Sequence, residues 1–273
     1  MNKFSMGNAF NEGKAFVMQR PALYIGLVLL AQILAMAVMF GPIGGAAGMA
    51  ALGNPADPMA AEQLMAGFGG LFFLAIFLGI ALQFMGYYAV WRHGLANGSV
   101  SVGEAIIYGL KACVPALVFA IVAYIAIVVA VIPVAAIAGV AQSPAIAVIL
   151  GIAAFVGFIY LLGRFSIMGP EMAAENSVNP FSAAGRSWRA TQGNGWMIAL
   201  FFIIVYIVFF VLYFLAMLVI TPITASMSGA AAFIVAMLLM IPLMIVGIFL
   251  GVGLPAGVYR DLVGFKNKSD IFS

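Results

Sequence analysis

The residues best equipped for chemistry lie in one polar stretch, residues 164–196, RFSIMGPEMAAENSVNPFSAAGRSWRATQGNGW. Five of the chain's nineteen formally charged side chains fall there: Arg164, Glu171, Glu175, Arg186 and Arg189. Glu171 and Glu175 are four apart, so they share a face if helix continues beyond Pro170. Arg164 and Glu171 stand seven apart and are brought together if the chain bends at the proline. Arg186, Ser187, Arg189 and Thr191 make a basic, hydroxyl-bearing surface beside Trp188 and Trp196. Two kinds of chemistry suit that set. One is an interfacial anchor, with Arg on lipid phosphate and Trp at headgroup level. The other is recognition of a phosphorylated headgroup. Arg164, Glu175, Arg186, Ser187, Trp188, Arg189 and Trp196 are the candidate headgroup contacts.

Elsewhere the chain offers little for catalysis. There is no G-x-S-x-G elbow, no H-E-x-x-H and no paired-acid motif at a usable membrane depth. The only histidine, His93, follows Arg92 with no second His or Cys close by, and reads as a solvated interface residue. The single cysteine, Cys113, excludes an internal disulfide and reads as a small apolar side chain near a helix start. The glycine-rich run 41–53 lacks the Lys-Ser/Thr ending of a phosphate-binding loop and reads as a flexible linker. Two amides are more informative: Gln32 and Gln83 fall inside apolar runs. An amide in hydrocarbon needs a partner, so both are expected to face other helices or a polar cavity. No catalytic, cofactor-binding or metal-ligating residue is expected.

These residues must be positioned by helices in lipid. The chain of 273 residues is 66% hydrophobic and 7% charged, where soluble domains carry about 25% charge. So few charges do not cover a soluble surface. Six runs are long enough to span a bilayer: 21–40, 69–91, 114–139, 145–168, 196–220 and 231–258. The expected fold is all-α, a polytopic membrane protein with six transmembrane helices in one domain, 1–273. Pro242 and Pro255 are expected to kink the last span. The first run is longer than a signal-peptide core and follows about twenty residues that include Glu12, so it reads as an uncleaved helix. No ionisable residue lies near the middle of a span, which argues against a proton-coupled pump and an intramembrane protease of metal or aspartyl type. All eleven Lys and Arg residues fall at the termini, in the loops after the second and fourth spans or, for Arg164, at the end of the fourth span where it meets the cytoplasmic headgroups. The loop 41–68 carries only Asp57 and Glu62, and the loops near Gln142 and Thr221 carry no charge. By the positive-inside rule both termini face the cytoplasm.

The cytoplasmic segments echo one another. Ser5, Gly7, Ala9 and Gly13 recur as Ser101, Gly103, Ala105 and Gly109, each at an offset of 96, and Pro21 and Pro115 follow. A weaker copy, Pro180 to Ser187, precedes the fifth span. Each segment reads as a short surface helix with an apolar face: Phe10, Phe16 and Val17, then Val102, Ile106 and Leu110, then Phe181, Ala184 and Trp188. Val90-Trp91-Arg92 and Val258-Tyr259-Arg260 end the second and sixth spans alike, with the guanidinium expected on lipid phosphate. Three units of surface helix plus helical hairpin, approximately 1–96, 97–175 and 176–273, account for the pattern and imply a pseudo-threefold axis along the membrane normal.

Arg164, Pro170, Glu175, Ala183, Ser187-Trp188, Thr191, Gly193 and Trp196 follow a pattern of the type R…P…E…A…SW..T.G..W. This resembles the membrane domain attached to some bacterial glycerophosphoryl diester phosphodiesterases, and related standalone six-helix membrane proteins. The resemblance implies a bacterial inner-membrane protein. It does not imply catalysis, because in that family the phosphodiesterase chemistry belongs to a separate soluble barrel with acidic metal ligands and histidines. The expectation is a non-enzymatic multi-pass protein that scaffolds or supports an envelope or lipid-related process. A transporter or flippase-like pathway for an amphipathic or phosphorylated substrate is the alternative. Expected partners are membrane lipids with anionic headgroups and a partner protein or second copy, with no cofactor and no nucleic acid.

Overall fold

The computed structural model describes residues 3–53, 58–96, 99–141, 143–227 and 229–264. Among these the chain is all-helical, and six helices are long and apolar enough to cross a membrane. In order they are α1 (Met6–Met18), α2 (Pro21–Gly53), α3 (Pro58–Leu95), α4 (Val102–Ala141), α5 (Pro144–Phe165), α6 (Met168–Ala174), α7 (Pro180–Ala190), α8 (Gly195–Ala225), α9 (Gly229–Ile248) and α10 (Leu254–Tyr259). The apolar spans within them are Pro21–Met39, Phe73–Leu95, Val102–Ile137, Ala145–Ala174, Gly195–Ala225 and Ile234–Gly264.

Four features depart from the sequence reading. The run 41–53 continues α2 as helix, so glycine spacing there does not make a linker; Asn54 and Asp57 lie outside the described residues. The segment before the third span is not a separate surface helix, because α4 runs unbroken from Val102 through Pro115 and Pro133. Helix in lipid tolerates proline where neighbouring groups re-satisfy the freed carbonyl. The fourth span breaks at Ser166–Ile167, ahead of Pro170. The proline then sits in the first turn of α6, where its missing N–H costs nothing. The last span widens into π-turns at Phe249–Gly253 and Arg260–Gly264. The first lies directly before Pro255, and a π-turn is a recognised way to absorb a helix irregularity.

Well-buried side chains gather at the end of the molecule that carries α1, α6 and α7, here termed the polar end. One cluster joins Phe16, Tyr24, Tyr88, Trp91, Tyr108 and Met172. A second joins Phe4, Ile167, Ile198, Phe201 and Leu254. Away from that end the spans expose Phe73, Ile149, Phe155, Phe210 and Phe214, each 62–65% accessible. Such a surface is stable against hydrocarbon and not against water. Burial is thus deepest at one end, while much of the spans' length presents apolar side chains outward.

Candidate functional site

Arg164 ends α5, and three later elements close around it. Its backbone carbonyl accepts hydrogen bonds from Ser187 Oγ at 2.8 Å and Thr191 Oγ1 at 3.3 Å. Its guanidinium lies 4.1 Å from the centre of the Trp188 ring and 5.8 Å from that of Tyr160, a cation–π arrangement strengthened by burial. Tyr160 in turn packs on Trp196 at 4.8 Å. Two glycines make room. A Cβ at Gly195 would stand 2.6 Å from Arg164 Cδ, and Gly193 has φ 78°, a left-handed conformation that side chains resist. Arg164, Ser187, Trp188, Thr191 and Trp196 thus form a clasp of α5, α7 and α8.

Burial sorts the expected headgroup contacts. Arg164 and Ser187 are 3% and 0% exposed, so they hold helices together and do not face headgroups. Glu175, Trp188, Arg189 and Trp196 are exposed. Arg186 is half-turned inward. Its Nε lies 3.6 Å from the buried carboxylate of Glu171, and its Nη1 donates to Ser182 Oγ at 2.7 Å. The partner of Glu171 is therefore Arg186 and not Arg164, because the chain turns before Pro170 and carries α6 away from the end of α5. Glu171 and Glu175 do not share a surface either: the first is buried and the second, at the end of α6, is exposed.

Arginines stand in the same place at the other two polar-end helix termini. Arg92 sits 5.8 Å from the Tyr108 ring and donates to the Ala173 carbonyl at 3.0 Å. Arg260 sits 4.9 Å from the Phe16 ring and donates to the Gly94 carbonyl at 3.2 Å. These guanidiniums serve protein groups, where the sequence reading had them on lipid phosphate. A neighbouring segment seats small residues against each of these termini. Ala9 and Gly13 of α1 meet Gly253 and Gly257, where a Cβ on Gly13 would lie 2.7 Å from the Gly253 carbonyl oxygen. Gly109 of α4 meets Met85 and Ala89 of α3, and Ser187 of α7 meets Arg164 of α5. Bulky Phe10, Leu110, Phe181 and Trp188 stay 40–56% exposed.

Sequence reasoning missed two buried polar contacts. His93 is 3% exposed, and its Nδ1 lies 3.1 Å from the Tyr24 hydroxyl. It is a packed core residue, not a solvated one, because α1 and α2 cover it. Asp261 is 4% exposed and accepts from the Ser5 backbone N–H at 3.0 Å. Ser5 is the N-cap of α1, so an Asp near one end of the chain and a cap signal near the other was the available clue.

Cavities lie within the spans. Gln32 and Gln83 face the same one, about 250 Å³, walled by α2, α3, α8 and α9. Gln83 Nε2 donates to the Tyr87 hydroxyl at 2.9 Å. The larger, about 650 Å³, is a cleft between α4 and α5 floored by Phe84, Tyr87, Tyr88 and Trp91 of α3. Phe119, Ala123, Ala126, Phe158 and Leu162 form its sides, and Ser166 is at its polar end. Among the described residues no group of three or more His, Cys, Asp or Glu side chains is placed to hold a metal ion. The arrangement offers binding and positioning. No protein-family model, curated protein or solved structure matches the chain.

Proposed function

We propose that this chain is a non-enzymatic, multi-pass protein of a bacterial inner membrane, supporting an envelope or lipid-related process by holding a lipid chain between its helices. The observation that carries the reading is the cleft of about 650 Å³ between α4 and α5. Its wall is aromatic and aliphatic, it sits within the spans, and no charged side chain lines it. At roughly 30 Å³ per methylene-sized group it takes on the order of twenty such groups, one long acyl chain. A membrane-spanning helix, ~10 Å across, is too large for it beyond a turn or two. The exposed Trp188, Trp196 and Arg189 near the polar end suit headgroup-level anchoring.

The likeness to the phosphodiesterase membrane domain supports the inner-membrane assignment. Several of its residues, Arg164, Ser187, Trp188 and Thr191, are those of the Arg164 clasp, so it speaks for shared architecture and not for shared chemistry. The three-unit reading draws support from the three arginines over Tyr108, Trp188 and Phe16. Native mass spectrometry of gently extracted protein tests the proposal, comparing wild type with Ala126→Phe, which fills the cleft. Lipid adducts on the wild type that fall several-fold in the variant support it; equal adducts on both overturn it.

A second reading, a flippase-like pathway, rests on one observation: Tyr87 borders both cavities. A headgroup-labelled phospholipid scrambled by proteoliposomes no faster than by empty vesicles rejects that pathway.

A further inference from the structure

The cavity at Gln32 and Gln83 has a chemistry distinct from the lipid cleft. Both amides fall near the centre of their spans, Pro21–Met39 and Phe73–Leu95. Amides at that depth are costly unless hydrogen-bonded. Gln83 has one partner within its own helix, since its Nε2 donates to the Tyr87 hydroxyl. That bond occupies the oxygen of the Tyr87 hydroxyl and leaves its O–H free to donate. Among the described residues Gln32 makes no side-chain hydrogen bond. The Gln32 amide N–H and the Tyr87 O–H are therefore two donors on one small cavity. The Tyr213 hydroxyl is on the same cavity.

The walls narrow the choice of ligand. Tyr87, Phe209 and Tyr213 present aromatic faces, with Phe209 and Tyr213 6.5 Å apart and inclined at 38°. Met244 adds a polarisable thioether, and both groups favour a flat π-system. No charged side chain lines the cavity, so the ligand is neutral. At about 250 Å³ and roughly 30 Å³ per heavy atom, the space takes about eight heavy atoms. That is the size of one six-membered ring with two oxygens.

We infer that the Gln32–Gln83–Tyr87 cavity is a binding site for the head of a neutral, lipid-soluble ring carbonyl compound of the quinone type. The ring lies among Tyr87, Phe209 and Tyr213, and its carbonyl oxygens accept from Gln32 and Tyr87. The inference concerns binding alone and includes no electron transfer. It is independent of the acyl-chain reading, which rests on different walls. The two share Tyr87, so a tail leaving the small cavity meets the larger cleft on the other side of one ring.

The full chain in nanodiscs of phosphatidylethanolamine and phosphatidylglycerol, titrated by equilibrium dialysis with a benzoquinone bearing a single isoprene unit, tests this. Wild type is expected to bind saturably above the partition into empty nanodiscs. Gln32→Leu and Tyr87→Phe are each expected to weaken Kd about five- to tenfold, the worth of one buried hydrogen bond. Leu218→Ala, on the lipid-facing side of α8, is expected to leave it unchanged. Gln32→Met, of similar shape without the donor, stands in if the leucine variant does not fold. Ala126→Phe is expected to lose lipid adducts and keep quinone binding, which separates failure of one proposal from failure of the other. The inference is overturned by no saturable binding, by equal affinity in the donor-less variants, or by an alkylbenzene of the same size binding as tightly.

Discussion

At the residue scale, Arg164 shows how a buried cation is kept near lipid without a carboxylate against it. Its charge lies between the faces of Trp188 and Tyr160, and its carbonyl is held by two hydroxyls. The glycines beside it follow from that packing. Gly195→Ala places a Cβ 2.6 Å from Arg164 Cδ and 2.9 Å from Tyr160 Cε2, and such overpacking costs about 1–3 kcal/mol. Gly193→Ala, at φ 78°, costs about 1–2 kcal/mol for a left-handed side chain. Arg189→Gln, at an exposed position, is expected to shift stability by less than about 0.5 kcal/mol. Thermal unfolding in mild detergent orders the three: two lowered midpoints and one unchanged. These residues were legible as a group from their spacing. Their inward direction was not, because it depends on α7 folding back over the end of α5, a contact between residues 23 and 27 positions apart.

At the element scale, small residues decide where the polar-end helices seat. Gly257 of α10 lies against Ala9 and Gly13 of α1, so Gly257→Leu is expected to lift α1 off the bundle. Limited proteolysis then cuts within residues 6–18 faster than in wild type; unchanged protection contradicts the seat. The six spans were readable from apolar run length alone, since each must fill the hydrocarbon thickness. The breaks were not. The turn at Ser166–Ile167 accompanies Gly169 fitting against the Trp91 ring, and no local signal reports a neighbour on another helix. Of the apolar faces expected for the surface segments, Phe16, Val17 and Ala184 are buried. The large apolar residues look inward-facing on a soluble scale, yet here Ala9, Ala105 and Ala183 are fully buried while Phe10, Leu110 and Phe181 stay outside. In lipid it is small residues that allow close helix approach. Orientation also belongs to this scale. In a Cys113→Ala background, Ser143→Cys is expected to react with an impermeant thiol reagent from outside and Gln192→Cys from inside; the reverse pattern inverts the topology.

At the scale of the whole molecule, polar and aromatic contacts concentrate at one end, and a cleft parts α4 from α5 within the spans. The N-terminal segment takes part: Phe4 N–H donates to Asn194, and Ser5 N–H to Asp261. The cleft between α4 and α5 is a space suited to a lipid chain, because an empty apolar void forfeits dispersion contacts on every wall. The amides Gln32 and Gln83 were found from sequence as polar groups at depth. That they share one cavity follows from the α2–α3 hairpin facing α8 and α9, which composition does not encode. The central claim is that an acyl chain lies in the α4–α5 cleft. It is tested most directly by reconstituting the protein with a phospholipid carrying a photoactivatable diazirine on its acyl chain, then mapping adducts by mass spectrometry. The account predicts adducts concentrated on the cleft residues Phe84, Phe158 and Leu162 above the general labelling of outward residues such as Phe210 and Phe214. Labelling spread evenly over the outward faces, with none at Phe84, would contradict it.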